Sequence, residues 1–322
     1  MPSSPHRDLA LQSKTFTDFD AFADSVRDVD AEMMFQNAKF RSWTISHVDL
    51  SDIHVQLGRL GSGNIVEGQS WSHGFLIYLP LSGNCEYLGN GTVVQKGSFL
   101  ILEPGCDFCV ATGSEHDWCS IFVPSHRFAD TGEERSSRTA IRRCRVSHGN
   151  HRAASQFGHL VNQIMTTAAK HPKFENSPAA THVEADLLNV ASAIVGQPVE
   201  NQHHQEGRPL IPRHEVVRRC KQSLEELDAQ PIRVDELAAA ADVSQWTLRR
   251  AFKEYYGISP VRYLQLRQLH QVHRKLKATD PEETNVTDLL FAHGVSELGR
   301  FASRYRGMFG ELPSETLRAK RP

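Results

Sequence analysis

The residues with the most chemistry to offer lie in two short cationic stretches near the end of the chain. Gln245, Trp246, Arg249, Arg250 and Lys253 share one twelve-residue segment, and Arg300, Ser303, Arg304 and Arg306 share another. On one face of a helix, guanidinium and ammonium groups neutralise phosphates, and an arginine can make a paired hydrogen bond to the edge of guanine. Basic amphipathic helices are more often solvated surface than readers, so charge alone decides nothing. Three weaker constellations compete. Cys106 and Cys109 have the C-x-x-C spacing of redox or zinc sites, but no second C-x-x-C accompanies them and the surroundings are apolar, which favours a structural role. His203-His204 sit in a Pro- and Gly-rich stretch and read as exposed side chains rather than metal ligands. Trp71, His73, Tyr78 and Trp118 are amphipathic groups in or beside apolar runs and form a candidate ligand-binding group, although ordinary packing is the favoured account of each until strand parity is known.

The elements that must position these residues follow from the rest of the chain. Its 322 residues allow about two domains, and 39% hydrophobic and 23% charged residues with a mean hydropathy of −0.42 describe an ordinary globular protein. No apolar run approaches the ~20 residues of a spanning helix, and MPSSPHRDLALQSKTF lacks the pattern of a secretory signal, so a cytoplasmic setting without membrane contact is expected. The net charge of −2 conceals an asymmetry: residues 212–322 carry 19 Lys+Arg against 15 Asp+Glu, and residues 1–211 carry 17 against 23. The polyanion partner belongs with the carboxy-terminal part.

From Arg41 to Pro124, short runs such as RSWTISHV, GFLIYLPL, SFLILEP and DWCSIFVP are separated by Gly, Asn, Ser and Pro, the grammar of an antiparallel sandwich or small barrel. Helical spacing over Ala153–Ala169 and His182–Val195 predicts a helix pair. GQPVENQHHQEGRPLIP, residues 196–212, reads as a linker. Seven helices are predicted beyond it: His214–Leu227, Val234–Ala241, Gln245–Tyr256, Val261–Lys277, Val286–His293, Leu298–Phe309 and a last short one from Ser314.

Those helices contain an internal repeat. Val234, Leu237, Val243 and Ser244 match Val286, Leu289, Val295 and Ser296 at an offset of 52. Leu248, Phe252, Lys253, Gly257 and Pro260 match Phe301, Tyr305, Arg306, Gly310 and Pro313 at an offset of 53, so one residue has been inserted in the second turn. Each unit is a short helix, a tight turn, and a second helix stopped by Gly and followed by Pro, which is helix-turn-helix grammar. Val261–Lys277 joins them over roughly 25 Å at ~1.5 Å per residue.

SQWTLRRAFKEYYGISPVRYLQLRQLHQVHRKL, NVTDLLFAHGV and FASRYRGMFGELPSETL resemble the DNA-binding domain of the AraC/XylS family of bacterial regulators over about Arg213–Arg318. LGRFASRYRGMF followed by PSETL is most similar to the branch containing the ethanolamine-utilisation regulator. The resemblance implies base reading by Trp246, Arg249 and Arg250, with Gln245 and Lys253 near the backbone. In the second unit Leu298, Gly299, Ala302 and Ser303 depart from the family's polar readers, which leaves its arginines chiefly as phosphate anchors. It also implies an amino-terminal cupin-like barrel that binds a small effector or mediates dimerisation. The expected organisation is therefore α+β and multidomain: a cupin-like sensing and dimerisation domain with a helical pair over 1–195, a linker over 196–212, and an all-α double helix-turn-helix domain over 213–322. Promoter DNA is the expected partner, with a small effector, a second copy of the chain and, for an activator, RNA polymerase as further ones. No cofactor, metal or catalytic residue is expected. The alternative is a DNA-targeted enzyme, alkyltransferase-like or cupin-type. Against it, no PCHR-like motif surrounds a cysteine, and the barrel region lacks the closely spaced HxH and downstream Glu of metal-dependent cupins.

Overall fold

The computed structural model describes residues 12–81, 86–131, 143–147, 151–197, 211–226, 232–282 and 284–319. Cys85, His203, His204 and most of the predicted linker lie outside the described residues. The chain divides into two compact units, Met1–Glu206 and Gly207–Pro322.

The first unit is a nearly closed antiparallel barrel. Its strands are β1 (Gln12–Phe16), β2 (Val29–Leu50), β3 (Ile53–Ser70), β4 (Gly74–Pro80), β5 (Tyr87–Gly89), β6 (Thr92–Val93), β7 (Phe99–Leu102), β8 (Asp107–Thr112), β9 (His116–Pro124) and β10 (Cys144–Ser147). They run in the order β10-β7-β4-β9-β3-β8-β5-β6, with β2 paired to β3 and β1 to β2. Strand β3 organises the barrel. One of its edges follows β2 from end to end, while His54–Leu60 pairs with β9 and Ile65–Gln69 with β8.

Alternation along the strands separates two apolar environments. Ile77, Leu79, Phe99, Ile101, Cys119 and Ile121 face helices α2 (His151–Lys170) and α3 (Pro178–Val195) and share a core with Phe157, Val161, Ile164 and Leu187. The intervening Leu76, Tyr78, Leu100, Leu102, Trp118 and Ser120 line a cavity inside the barrel. A strand buried on both faces has no polar positions to alternate with, and FLIL in β7 shows the result. Ser177 caps α3 by accepting from Ala180 N at 3.3 Å. At one end of the barrel, Phe19 and Phe22 of the short helix α1 (Phe19–Ala23) pack with Phe35 and Trp43, and the Trp43 indole donates to Ser62 Oγ at 2.8 Å.

Glycine is required where the strand passes beneath an aromatic ring. Gly58 lies opposite Trp118 in the β3–β9 register, and a Cβ there would come within 2.4–2.7 Å of the indole. Gly58→Ala is expected to push Trp118 off its seat and cost about 1–3 kcal/mol, as overpacking does. Denaturant unfolding followed by tryptophan emission measures both effects.

The second unit consists, in its described residues, of α4 (Arg213–Glu226), α5 (Val234–Ala240), α6 (Gln245–Tyr256), α7 (Pro260–Ala278), α8 (Val286–Ala292), α9 (Leu298–Phe309) and α10 (Pro313–Arg318). Helix α7 is the shared spine. Its first half gives Tyr263 to a stack on Tyr256 at 4.7 Å, and its second half gives Leu269, Val272 and Leu276 to a core with Leu289, Phe301, Tyr305 and Leu317. Among the described residues, no helix is long and apolar enough to cross a membrane.

Candidate nucleic-acid interface

Both halves of the second unit build the same turn with the same hydrogen bonds. After α5, Asp242 N donates to Ala239 O and Val243 N to Ala238 O, both at 3.0 Å. After α8, Gly294 N donates to Phe291 O at 2.9 Å and Val295 N to Leu290 O at 3.0 Å. This wrapping closes a helix with a residue in the left-handed region, and Asp242 (φ 54°) takes in the first turn the place that Gly294 (φ 71°) takes in the second. Four residues separate α5 from α6 and five separate α8 from α9, so the inserted residue read from the repeat lies in this turn.

The second helix of each motif has matching ends. Ser244 caps α6 by accepting from Thr247 N at 3.1 Å. Gly257 (φ 74°) and Gly310 (φ 87°) end α6 and α9, returning their N–H groups to Lys253 O at 3.1 Å and Arg306 O at 2.8 Å. Leu248, Ala251, Phe252 and Tyr256 turn inward from α6. This leaves Gln245, Trp246, Arg249, Arg250 and Lys253 together on the exposed face, with Trp246 68% exposed. A tryptophan that solvated on a helix is poorly explained by packing.

Hydrogen bonds pre-position this face. The Arg250 guanidinium lies 5.5 Å from the centre of the Trp246 ring, and its Nε donates to Glu254 Oε1 at 2.9 Å, while Arg213 pairs with the same carboxylate. Arg249 reaches Gln245 Oε1 at 3.5 Å, and Lys253 Nζ donates to Gly257 O at 2.7 Å. The Arg250–Glu254 pair is half exposed and contributes little stability, but it fixes the direction of the Arg250 guanidinium. Glu254 was not singled out in the sequence, where its only signal is the i, i+4 spacing to Arg250.

Helix α9 presents Arg300, Ser303 and Arg306 to solvent, with Arg300 paired to Glu297 at 2.6 Å. Arg304 is set apart from them. It is half-buried, and its Nε is enclosed without a hydrogen-bond partner among the described residues. Burial, together with the positive charge of Arg304, lowers the ordinary value of Arg262 at the start of α7. The two guanidiniums are therefore near enough to act on one another. Arg262 escaped the sequence reading because it belongs to neither repeat.

A helix-turn-helix domain model matches residues 237–319. A probable AraC family transcriptional regulator from Rhodopseudomonas palustris is 37% identical to this chain, over 33% of this chain and 98% of that one, with a TM-score of 0.30. The chain belongs to the AraC family. A XylDLEGF operon transcriptional activator of Pseudomonas putida is 25% identical over 75% of this chain and 74% of its own length. The AraC-like transcriptional activator CuxR covers 81% of this chain and 94% of that one at 13% identity and a TM-score of 0.44. This AraC-family protein is a DNA-binding transcriptional regulator.

In the regulator's first unit, the four side chains proposed as a ligand group fall into two places. Tyr78 and Trp118 stack at 5.6 Å and line the cavity. Trp71 and His73 pack on Phe122 at 5.7 and 5.0 Å beside His54, away from that lining. Cys106 stands in the turn before β8 rather than in a strand, with its Sγ 3.7 Å from Ser70 Oγ, and Cys109 is buried within β8. Burial pushes the thiols of Cys106, Cys119 and Cys144 up and that of Cys220 up to about 12, the reverse of what activates a thiolate nucleophile. Among the described residues, no group of three or more His, Cys, Asp and Glu is arranged to hold a metal.

Proposed function

We propose that the regulator reads promoter sequence with α6 and holds the DNA backbone with α9. The observation that carries this reading is the contrast between the two helices. One exposes Gln245, Trp246, Arg249, Arg250 and Lys253 on one face, and the other exposes Arg300, Ser303 and Arg306 beside the small Gly299 and Gly307, with Arg304 half-buried. The two helices would enter successive major grooves, held apart by the 19 residues of α7, roughly 28 Å of helix.

The division of labour is tested by selecting binding sites from random duplexes with the full chain, then titrating the selected site at several salt concentrations. Arg304→Ala is expected to weaken cognate and random DNA alike and to lower the slope of log K against log salt by about one unit, the signature of one lost phosphate contact. An unchanged slope would remove Arg304 from the backbone contacts.

The remaining parts of the reading concern regulation. Residues 1–195 act as a sensing and dimerisation domain, residues 196–212 as a linker and residues 213–322 as the DNA-binding domain, in the cytoplasm. A small-molecule effector shifts the balance between arrangements of the readers through its differential affinity for them. A second copy of the chain, and RNA polymerase for an activator, complete the partners. The placing beside the ethanolamine-utilisation regulator rests on LGRFASRYRGMF and PSETL alone.

A further inference from the structure

Inside the barrel lies a cavity of about 70 Å³, walled mainly by aliphatic and aromatic side chains. A single water needs only roughly 10–15 Å³, so the space admits a compact molecule and not solvent alone. One wall is flat, formed by Trp118 and Tyr78 with ring planes 25° apart. Into this apolar space the barrel brings a hydrogen-bonding group that its own structure does not use. Ser120 is 1% exposed, and its hydroxyl has no partner among the described residues. Leaving a buried polar group unmet costs about 1–3 kcal/mol, an expense that a bound polar group would remove.

Charge is handled in the opposite way. The one permanently charged side chain in the described lining, Arg27, is held by both carboxylate oxygens of Asp49 at 3.1 and 3.2 Å. Burial pushes the pKa of His116, also in the lining, down and so disfavours its charged form. An anion or a cation entering here would shed its hydration and find no unneutralised partner.

We propose that this cavity receives a compact, uncharged, mostly apolar molecule whose single hydroxyl- or amide-sized group meets the unpartnered hydroxyl of Ser120. The inference rests on the reading of the amino-terminal unit as a sensor. It assigns Tyr78 and Trp118 to the ligand's flat face and leaves Trp71 and His73 outside the site.

The test uses calorimetric titration of the full chain with three probes of one shape: benzyl alcohol, benzoate and benzylammonium. Benzyl alcohol is expected to bind at least about tenfold more tightly than either ion, and Ser120→Ala to weaken it about five- to tenfold, the worth of one hydrogen bond. The ligand-free variant should melt at the same temperature or higher, because no native hydrogen bond is removed. Benzyl alcohol should also alter tryptophan emission in the parent chain and leave it unaltered in Trp118→Phe, a readout independent of Ser120. Equal or tighter binding of an ion, undiminished binding by Ser120→Ala, or no binding of any probe would each overturn the proposal. If the alcohol binds as stated while the affinity for the selected DNA site stays the same, the cavity assignment holds and the sensor reading fails.

Discussion

Arg250→Ala is expected to lower affinity for the selected promoter site by roughly 5- to 150-fold, the ~1–3 kcal/mol of a bidentate contact to a base, and to lower affinity for random duplex far less. The asymmetry arises from position. Arg250 projects from the exposed face of α6 with its fork steadied between the Trp246 ring and Glu254, so under the proposed reading its loss would remove a preformed contact and not merely one charge. Glu254→Gln should produce a smaller loss of the same kind, since it releases the fork without deleting it. Competition titrations with cognate and scrambled duplexes measure both. Equal losses on the two DNAs would overturn base reading by Arg250 and reduce it to a backbone contact.

The largest effect on stability is expected at Tyr305. This side chain is fully buried, and its hydroxyl lies 2.6 Å from His273 Nδ1 on α7 and 2.8 Å from Thr316 Oγ1 on α10, so one residue of α9 ties three helices. Tyr305→Ala should cost about 3–5 kcal/mol through the cavity it leaves, and Tyr305→Phe about 1–3 kcal/mol through the partners it strands. Because Phe301 and Leu317 share that core, the second motif should lose protection against hydrogen exchange in the alanine variant while the first retains it. Uniform loss across both motifs would show instead that α7 makes the whole unit one cooperative element.

The helices of the second unit were legible because each carries its own punctuation. The expected bounds Gln245–Tyr256 and Leu298–Phe309 coincide with α6 and α9, since a glycine in the left-handed region stops each helix and a proline stands three residues beyond it. The barrel was legible as a class but not in detail. Strand β2 begins at Val29, well before the expected Arg41, and β1, α1 and β10 were not expected at all. Their sequences are short or lack clean alternation, as where β2 carries the buried run Met33-Met34-Phe35-Gln36. The same physics hid the site. Parity along β4 and β9 decides that Tyr78 and Trp118 face inward, and parity needs the register, which pairs Pro80 with Trp118 and Tyr78 with Ser120. Arg262 gave no signal for another reason: its nearness to Arg304 is a tertiary fact with no counterpart in local spacing.

Strand β7 has a consequence for how such a protein diversifies. Leu100 and Leu102 line the cavity while Phe99 and Ile101, one residue away on the same backbone, seat the helix pair. A lineage that reshapes the cavity by altering Leu100 moves the backbone that carries Ile101, so a new lining comes with a disturbed helix seat. Acquiring a new signal would then proceed through paired substitutions, one on each face of the strand, and the first of each pair would survive only in a background with stability to spare.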